Sequence, residues 1–167
     1  AYYLQDDPLY DPADPNVGLV HRIDKDTSGL LVIAKRPEAK AHLARQFFNK
    51  TTRRTYRALV WGRLKEAEGT IIGNIGRDER DRLQMAVYPE GSPKGKHAVT
   101  HYMLLEELAY VSWVECRLET GRTHQIRAHM RHIGHPLFAD ARYGGDKILW
   151  GNQFSRYKQF VQNCLTL

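Results

Sequence analysis

Between Arg53 and Leu118 the chain reads as a succession of strand-length segments, and this patterning limits the possible folds more than any other feature. Apolar, aromatic and β-branched residues gather at 53–62, 69–75, 83–88, 98–104 and 110–118, separated by short polar or glycine-containing stretches. In the first segment Tyr56, Ala58 and Val60 alternate with Arg57, Leu59 and Trp61, so one strand face carries a tyrosine beside two smaller apolar side chains. Glu106-Glu107 is the expected turn between the last two strands, and Gly91-Ser92-Pro93-Lys94-Gly95-Lys96 is a flexible basic loop by composition. Pro37 opens a helix ending near Asn49, with Leu43, Ala44, Phe47 and Phe48 on one core-packing face. Thr123 and Gly134 can cap and end a second helix. Its Ile126, Met130 and Ile133 form an apolar face, while His124, Arg127 and Arg131 line an adjacent one. A short helix is expected within 146–167, with Trp150, Phe154, Tyr157 and Phe160 available for packing. The expectation is an α+β domain: a mixed, mainly antiparallel sheet flanked by helices and loops.

Ahead of this region, Pro8, Pro12 and Pro15 make the first twenty residues extended and loop-like, with Val17 to Val20 entering the sheet. There follows a polar loop, His21-Arg22-Ile23-Asp24-Lys25-Asp26-Thr27-Ser28-Gly29, and then the apolar run Leu30-Leu31-Val32-Ile33-Ala34, which reads as a buried strand. A loop mounted on a core strand is a rigid place for chemistry. Asp24 is the candidate working carboxylate and Arg22 its cationic neighbour. The spacing Asp24-x-Asp26-x-Ser28-Gly29 also matches the opening of a calcium-binding EF-hand, but the twelfth position, which needs a bidentate glutamate, is Lys35.

Composition narrows the function classes. With 167 residues and 42% hydrophobic content the chain is long enough for one packed domain. No apolar run approaches the roughly 20 residues of a membrane span. Acidic residues at Asp6, Asp7, Asp11 and Asp14, with no basic-then-apolar pattern, argue against a secretion signal. Cys116 and Cys164 show no CxxC spacing and fit reduced thiols of a cytoplasmic protein, Cys116 as a core residue. The net charge of +6 is concentrated. Eight lysines and arginines between Lys35 and Arg57 are opposed only by Glu38, and the stretch from Arg122 to Arg131 holds three arginines and no acid. Such clustering suits a polyanion.

No Walker or dinucleotide-binding glycine pattern is present. The histidines of 124–135 lack the HExxH arrangement, since His124 and His129 are five apart and no acid joins them before Asp140. No metal site is expected, which disfavours a metal-dependent nuclease. A lone aspartate in basic surroundings fits covalent or electrostatic work at a sugar or base.

The motifs then become specific. His21 to Gly29 resembles the HRLDxxTSG signature of RluA-type pseudouridine synthases, the RluC/RluD-like ribosomal large-subunit group. Arg54 to Gly62 is similar to that family's K-x-Y-x-A-x-V-x-G strand, and Gly121 to His129 to its GRxHQIRxH motif, continued through His135-Pro136 and Tyr143-Gly144. Gly76-Arg77 and Lys96 also stand where the family has similar residues. The resemblance implies the family's fold with a central RNA-binding cleft, and isomerisation of specific uridines to pseudouridine in ribosomal or transfer RNA without a cofactor. Asp24 would be the catalytic aspartate, attacking the uracil ring or the ribose. Arg127 would be the cation that pairs with it and keeps it ionised. Tyr56 would stack on the base and assist the proton step, and Arg22 would fill the gap left by the flipped uridine. His21, Thr27, Arg122 and Arg54 would hold the loop or touch RNA. RNA would be the only partner of a monomer that needs neither metal nor membrane.

Two departures stand out: Arg54 replaces a lysine, and Ala139-Asp140 replaces Gly-Asp, removing backbone freedom. Residues 1–167 are expected to form a single catalytic domain, incomplete at both ends, without an S4-type domain or the family's closing strand. The competing reading is an inactive RNA-binding module of the same fold.

Overall fold

The computed structural model describes Asp6, Pro8 and residues 18–165. The chain falls into two compact units, Ala1–Arg53 and Arg54–Leu167. Most of the first twenty residues, Val17 among them, lie outside the described residues.

In the first unit, one helix follows an extended segment. The run at 30–34 is not the buried strand its composition suggests. Ile33 makes a single antiparallel bridge with Leu19, Leu30 is 92% exposed, and only Ala34 is buried. The backbone explains why. The Val32 N–H donates to His21 Nε2 at 2.9 Å and the Ala34 N–H to the Gly18 carbonyl at 2.8 Å, so these ladder donors are spent locally. Gly18 permits this approach, because a Cβ there would lie 2.4 Å from the Ala34 carbonyl oxygen. Helix α1, Pro37–Phe48, begins at the expected proline and is capped by Asn49. The Lys50 N–H returns to Phe47 and the Thr51 N–H to Gln46, with Lys50 left-handed at φ 58°. Its apolar face does not enter a core: no α1 residue is buried and Phe48 is 86% exposed. Phe47 instead stacks on the His21 ring, centroids 4.5 Å apart.

The second unit is built on a five-stranded, wholly antiparallel sheet in the order β1-β5-β4-β2-β3. The strands are β1 Thr55–Trp61, β2 Glu68–Arg77, β3 Met85–Tyr88, β4 Lys96–Leu108 and β5 Val111–Leu118. The turn expected at Glu106-Glu107 is displaced. Both glutamates continue β4 opposite Trp113 and Ser112, past a bulge between Leu104 and Glu106. The chain reverses at Ala109-Tyr110, with Ala109 in the left-handed region at φ 58°. Arg63 steadies this end, donating to the Ala109 carbonyl at 3.1 Å and pairing with Glu107 at 3.0 Å.

One sheet face carries the larger core: Ala58, Val60, Leu64, Ile71, Val114, Cys116 and Met130, with Tyr56, Ile126 and Ile133 packed against it. The expected apolar faces of β1 and of helix α2, Gln125–His132, therefore meet each other. Desolvation, with the Glu115 charge adding, pushes the buried Cys116 thiol up to about 12, which makes it an inert core side chain. Pro136 and Phe138 hydrogen-bond to β1, and buried Trp61 donates to the Gly145 carbonyl at 2.7 Å. Helix α3, Ser155–Leu165, closes the unit. Tyr157 packs on Tyr110, and Trp150 lies near Trp61, whereas Phe160 remains 65% exposed.

Candidate active site

Helix α2 starts without the cap assigned to Thr123. Its N-cap is His124, left-handed at φ 53°, with no side-chain cap bond. The start is secured from below by buried Gln125. Its Oε1 accepts from the Thr120 hydroxyl at 2.8 Å and the Arg122 N–H at 2.9 Å. Its Nε2 donates to the Val99 carbonyl at 2.9 Å and Thr100 Oγ1 at 3.0 Å. All four bonding positions of the amide are filled, which ties α2 to β4. His129, also buried, shares Thr100 Oγ1 through Nδ1 at 2.9 Å. Gly134 ends the helix as expected, with its own N–H on the Arg131 carbonyl and that of His135 on Met130.

On this seat Arg127 is held in one orientation. Its Nε donates to Asp140 Oδ2 at 2.7 Å and its Nη2 to Oδ1 at 2.9 Å, a planar fork on a carboxylate. The guanidinium carbon lies over the Tyr143 ring, 4.7 Å from its centroid. Arg131 approaches the same ring at 5.9 Å and His124 meets it edge-on at 5.6 Å. The face that spacing gave to His124, Arg127 and Arg131 is thus a face on Tyr143. The Tyr143 hydroxyl receives the Met85 N–H at 2.9 Å and bonds His124 Nδ1 at 2.8 Å. Asp140 also accepts from the Tyr143 N–H at the 3-10 turn Ala141–Tyr143. Just ahead of it, Ala139 is left-handed at φ 63°, the conformation a glycine would take more easily.

Of the other expected residues of this unit, Tyr56 lies on β1, Arg54 just before it and Arg122 just ahead of α2. Tyr56 is half-buried, opposite Cys116, on the face shared with α2. Arg54 and Arg122 flank Gly121. A Cβ on that glycine would come within 2.5 Å of Arg54 Nη1, and Arg122 Nε donates to the His97 carbonyl at 3.0 Å. Arg54 Nε is buried without a hydrogen-bond partner among the described residues.

In the first unit, the Asp24 carbonyl accepts the Thr27 N–H at 3.1 Å and closes a tight turn over Lys25 and Asp26. Asp24 and Thr27 are half-buried and Arg22 is exposed. His21 ties this loop to both Val32 and Phe47, so it holds the loop through both ring face and nitrogen.

The geometry therefore gathers His21, Arg22, Asp24 and Thr27 in one unit and Arg54, Tyr56, Arg122 and Arg127 in the other. Asp140, Tyr143, Gln125 and Thr120 were given no role by the sequence, although the first three stand in its motifs. Asp140 lies thirteen residues from the arginine it holds, and no local period signals that pairing. The only hint was the departure at Ala139-Asp140 beside Tyr143-Gly144. Three histidines of this segment make structural bonds: His124 to Tyr143, His129 to Thr100 and His135 to the Trp61 carbonyl. Among the described residues no group of three His, Cys, Asp or Glu side chains forms a metal-holding set, and no helix is long and apolar enough to cross a membrane.

Comparison with known proteins gives this geometry a family. Residues 3–132 match the RNA pseudouridylate synthase model. A Chlorobaculum parvum RNA pseudouridine synthase is 46% identical over 159 residues, covering 94% of this chain and 48% of the relative. The ribosomal large subunit pseudouridine synthase D of Neisseria meningitidis is 50% identical over 133 residues, 80% of this chain and 34% of that protein. Among solved structures, human RNA pseudouridylate synthase domain containing 1 superposes with a TM-score of 0.68 at 34% identity, covering 75% of this chain and 54% of the other. The chain thus spans between about a third and a half of the length of these two curated relatives. Because the matched segment includes the Asp24 loop, the Tyr56 strand and the Arg127 helix, the chain belongs to the RNA pseudouridylate synthase family, in its RluA-type branch.

Proposed function

We propose that this chain isomerises uridine to pseudouridine in structured RNA, with large-subunit ribosomal RNA as the substrate suggested by the names of its relatives. Asp24 is the catalytic aspartate. It opens the reaction by attack on the uracil ring or on the ribose. The bond between uracil N1 and the sugar breaks and a bond from uracil C5 to the same sugar carbon forms. The C5 proton is lost and N1 gains one, so product and substrate are isomers and no oxidant or reductant is consumed. Tyr56 stacks on the base and assists the proton step. Arg127 is the counter-charge to the Asp24 carboxylate, and the reading requires those two groups to meet in the active protein. Arg22 occupies the space left by the extruded uridine, offsetting part of an unstacking cost of a few kcal/mol. His21 and Thr27 support the loop, while Arg54 and Arg122 face the RNA backbone. The reaction invokes one chain, RNA and no metal, and its setting is the cytoplasm.

The observation that carries this reading is the fixed Arg127 guanidinium, forked on Asp140 and seated on Tyr143, in a chain matched to the family over residues 3–132. Such preorganisation suits a group that must present charge at one point. The test is pseudouridine mapping in ribosomal RNA incubated with the purified protein. The unaltered protein should form product. Asp24→Asn should form at least about 10³-fold less, the scale lost with a catalytic nucleophile, while still retaining RNA on a filter. Product at the unaltered rate from Asp24→Asn would falsify the assignment. RNA retention with no product from the unaltered protein would favour a binding module.

A further inference from the structure

The β2–β3 connection carries a cluster of arginines that the proposed chemistry does not use. Three guanidiniums converge on three consecutive residues. Arg77 Nη1 donates to the Arg82 carbonyl at 2.9 Å, Arg142 Nη1 donates to the Leu83 carbonyl at 2.8 Å, and Arg131 Nη1 donates to Gln84 Oε1. Each of these three acceptors is neutral, so the hydrogen bonds that orient the arginines do not themselves pair them with a carboxylate. One of five N–H donors is spent in each of these bonds. Arg80 and Arg82 extend from the same loop, and all five arginines are exposed.

The acids of this segment bond the loop itself or a neighbouring lysine. Asp78 accepts the Arg80 N–H at 2.8 Å and the Asp81 N–H at 3.2 Å. Those two bonds hold its carboxyl below its ordinary value, with the charges of Arg131 and Arg80 adding to the effect. Asp81 accepts from the Leu83 N–H and from Gln84 Nε2, both at 2.9 Å. Glu79 is paired with Lys94. The carboxylates thus shape the loop, and its three acids are outnumbered by the five arginines. The face is continuous with the candidate site, since Arg131 is one turn beyond Arg127 on α2 and Arg142 lies in the 3-10 turn between Asp140 and Tyr143.

We infer that Arg77, Arg80, Arg82, Arg131 and Arg142 form a phosphate-binding face that holds the RNA backbone beside the modified nucleotide. Oriented guanidiniums with spare parallel donors match phosphate oxygens better than they match a protein surface, where carboxylates are sparser and less regularly spaced. This deepens the synthase reading and rests on it for the identity of the RNA.

The experiment uses the full chain, ribosomal RNA as probe and the double variant Arg80→Ala/Arg82→Ala. Neither side chain donates a hydrogen bond that shapes the loop, and the Arg82 carbonyl remains to receive Arg77. Filter binding should weaken about tenfold near physiological salt. The slope of log affinity against log salt should fall by between one and two, as expected for two lost phosphate contacts. In turnover the loss should fall in KM rather than kcat. Arg80→Lys/Arg82→Lys should restore most of the salt slope. Lys158→Ala, an exposed charge on α3, serves as the control and should change neither quantity. An unchanged salt slope in the double alanine variant overturns the inference, as does an equal loss in Lys158→Ala. If the unaltered protein makes no product, the synthase reading fails, yet the filter measurement still decides whether this face binds RNA.

Discussion

Arg127 shows how much of a single side chain's role is set by neighbours far away in sequence. A guanidinium on an exposed helix face samples many rotamers, and fixing it costs on the order of 2 kcal/mol of side-chain entropy. Here the Asp140 fork and the Tyr143 ring meet that cost before any substrate arrives. Asp140→Asn keeps the shape of the side chain and removes the charge that makes the fork strong. The expected outcome is a fall in kcat of about 10²-fold, the scale of a misplaced catalytic group, with KM changed less than about threefold. Steady-state kinetics on ribosomal RNA checks this. A loss confined to KM would make Asp140 a binding residue. A thermal melt of the variant close to that of the unaltered protein separates positioning from folding. The sequence offered Arg127 through its place in a motif and Asp140 through a Gly-Asp pattern, but nothing in it joined the two. A pairing across thirteen residues and a 3-10 turn is created by the fold, whereas a motif records only which residue types recur.

Helix α2 was legible in its period and illegible in its start. Ile126, Met130 and Ile133 repeat at helical spacing and do pack on the sheet, and Gly134 does end the helix. Thr123 looked like a cap because threonine often is one, but the side chain that secures this terminus is the buried amide of Gln125, a residue type that reads as solvent-facing. The Glu106-Glu107 turn failed for a related reason: charged residues are compatible with the exposed end of a long hairpin, and Ala109 gave no sign that it would turn left-handed. The same helix carries a pH dependence. Buried His129 is pushed down to about 4 from the ordinary 6.5, by desolvation first and by the charge of His132 second. Below about pH 6.5 the unfolded chain takes up a proton that the folded chain refuses until about pH 4. This contribution to stability is intact above that window and is lost as pH falls through it, by about 2 kcal/mol between pH 6.5 and pH 5. Urea unfolding at a series of pH values should show that slope. His129→Gln should be less stable near neutrality yet flatter across the window, and a variant with the unaltered slope would assign the titration to another group.

At the scale of the whole molecule the two units differ in how they are held together, and that difference tracks how well the sequence announced them. In the second unit, period-two alternation and a helical apolar stripe agree with each other, so sheet and core followed from local pattern. In the first unit, five apolar residues in a row suggested a buried strand, but a strand exists only through its partner, and residues 30–34 have one bridge. A pairing of Asp24 with Arg127 is an expectation that spans the chain, and the family resemblance alone supplied it. The contrast has a measurable consequence in amide hydrogen exchange of the full chain. β5 lies between β1 and β4, and Ser112, Val114, Glu115 and Cys116 are all buried. Exchange there needs opening close to global unfolding. Helix α1 has twelve residues and none buried, and a helix of that length is marginal without packing. Its amides should therefore exchange at least about 10²-fold faster than those of 112–116, an opening free energy lower by roughly 3 kcal/mol or more. Peptides from 37–48 as slowly exchanging as those from 111–118 would mean that α1 is stabilised by contacts its exposure does not reveal. Added ribosomal RNA that slowed exchange across 21–29 and 77–84, leaving 112–116 unchanged, would locate substrate contact on the Asp24 loop and the arginine face together.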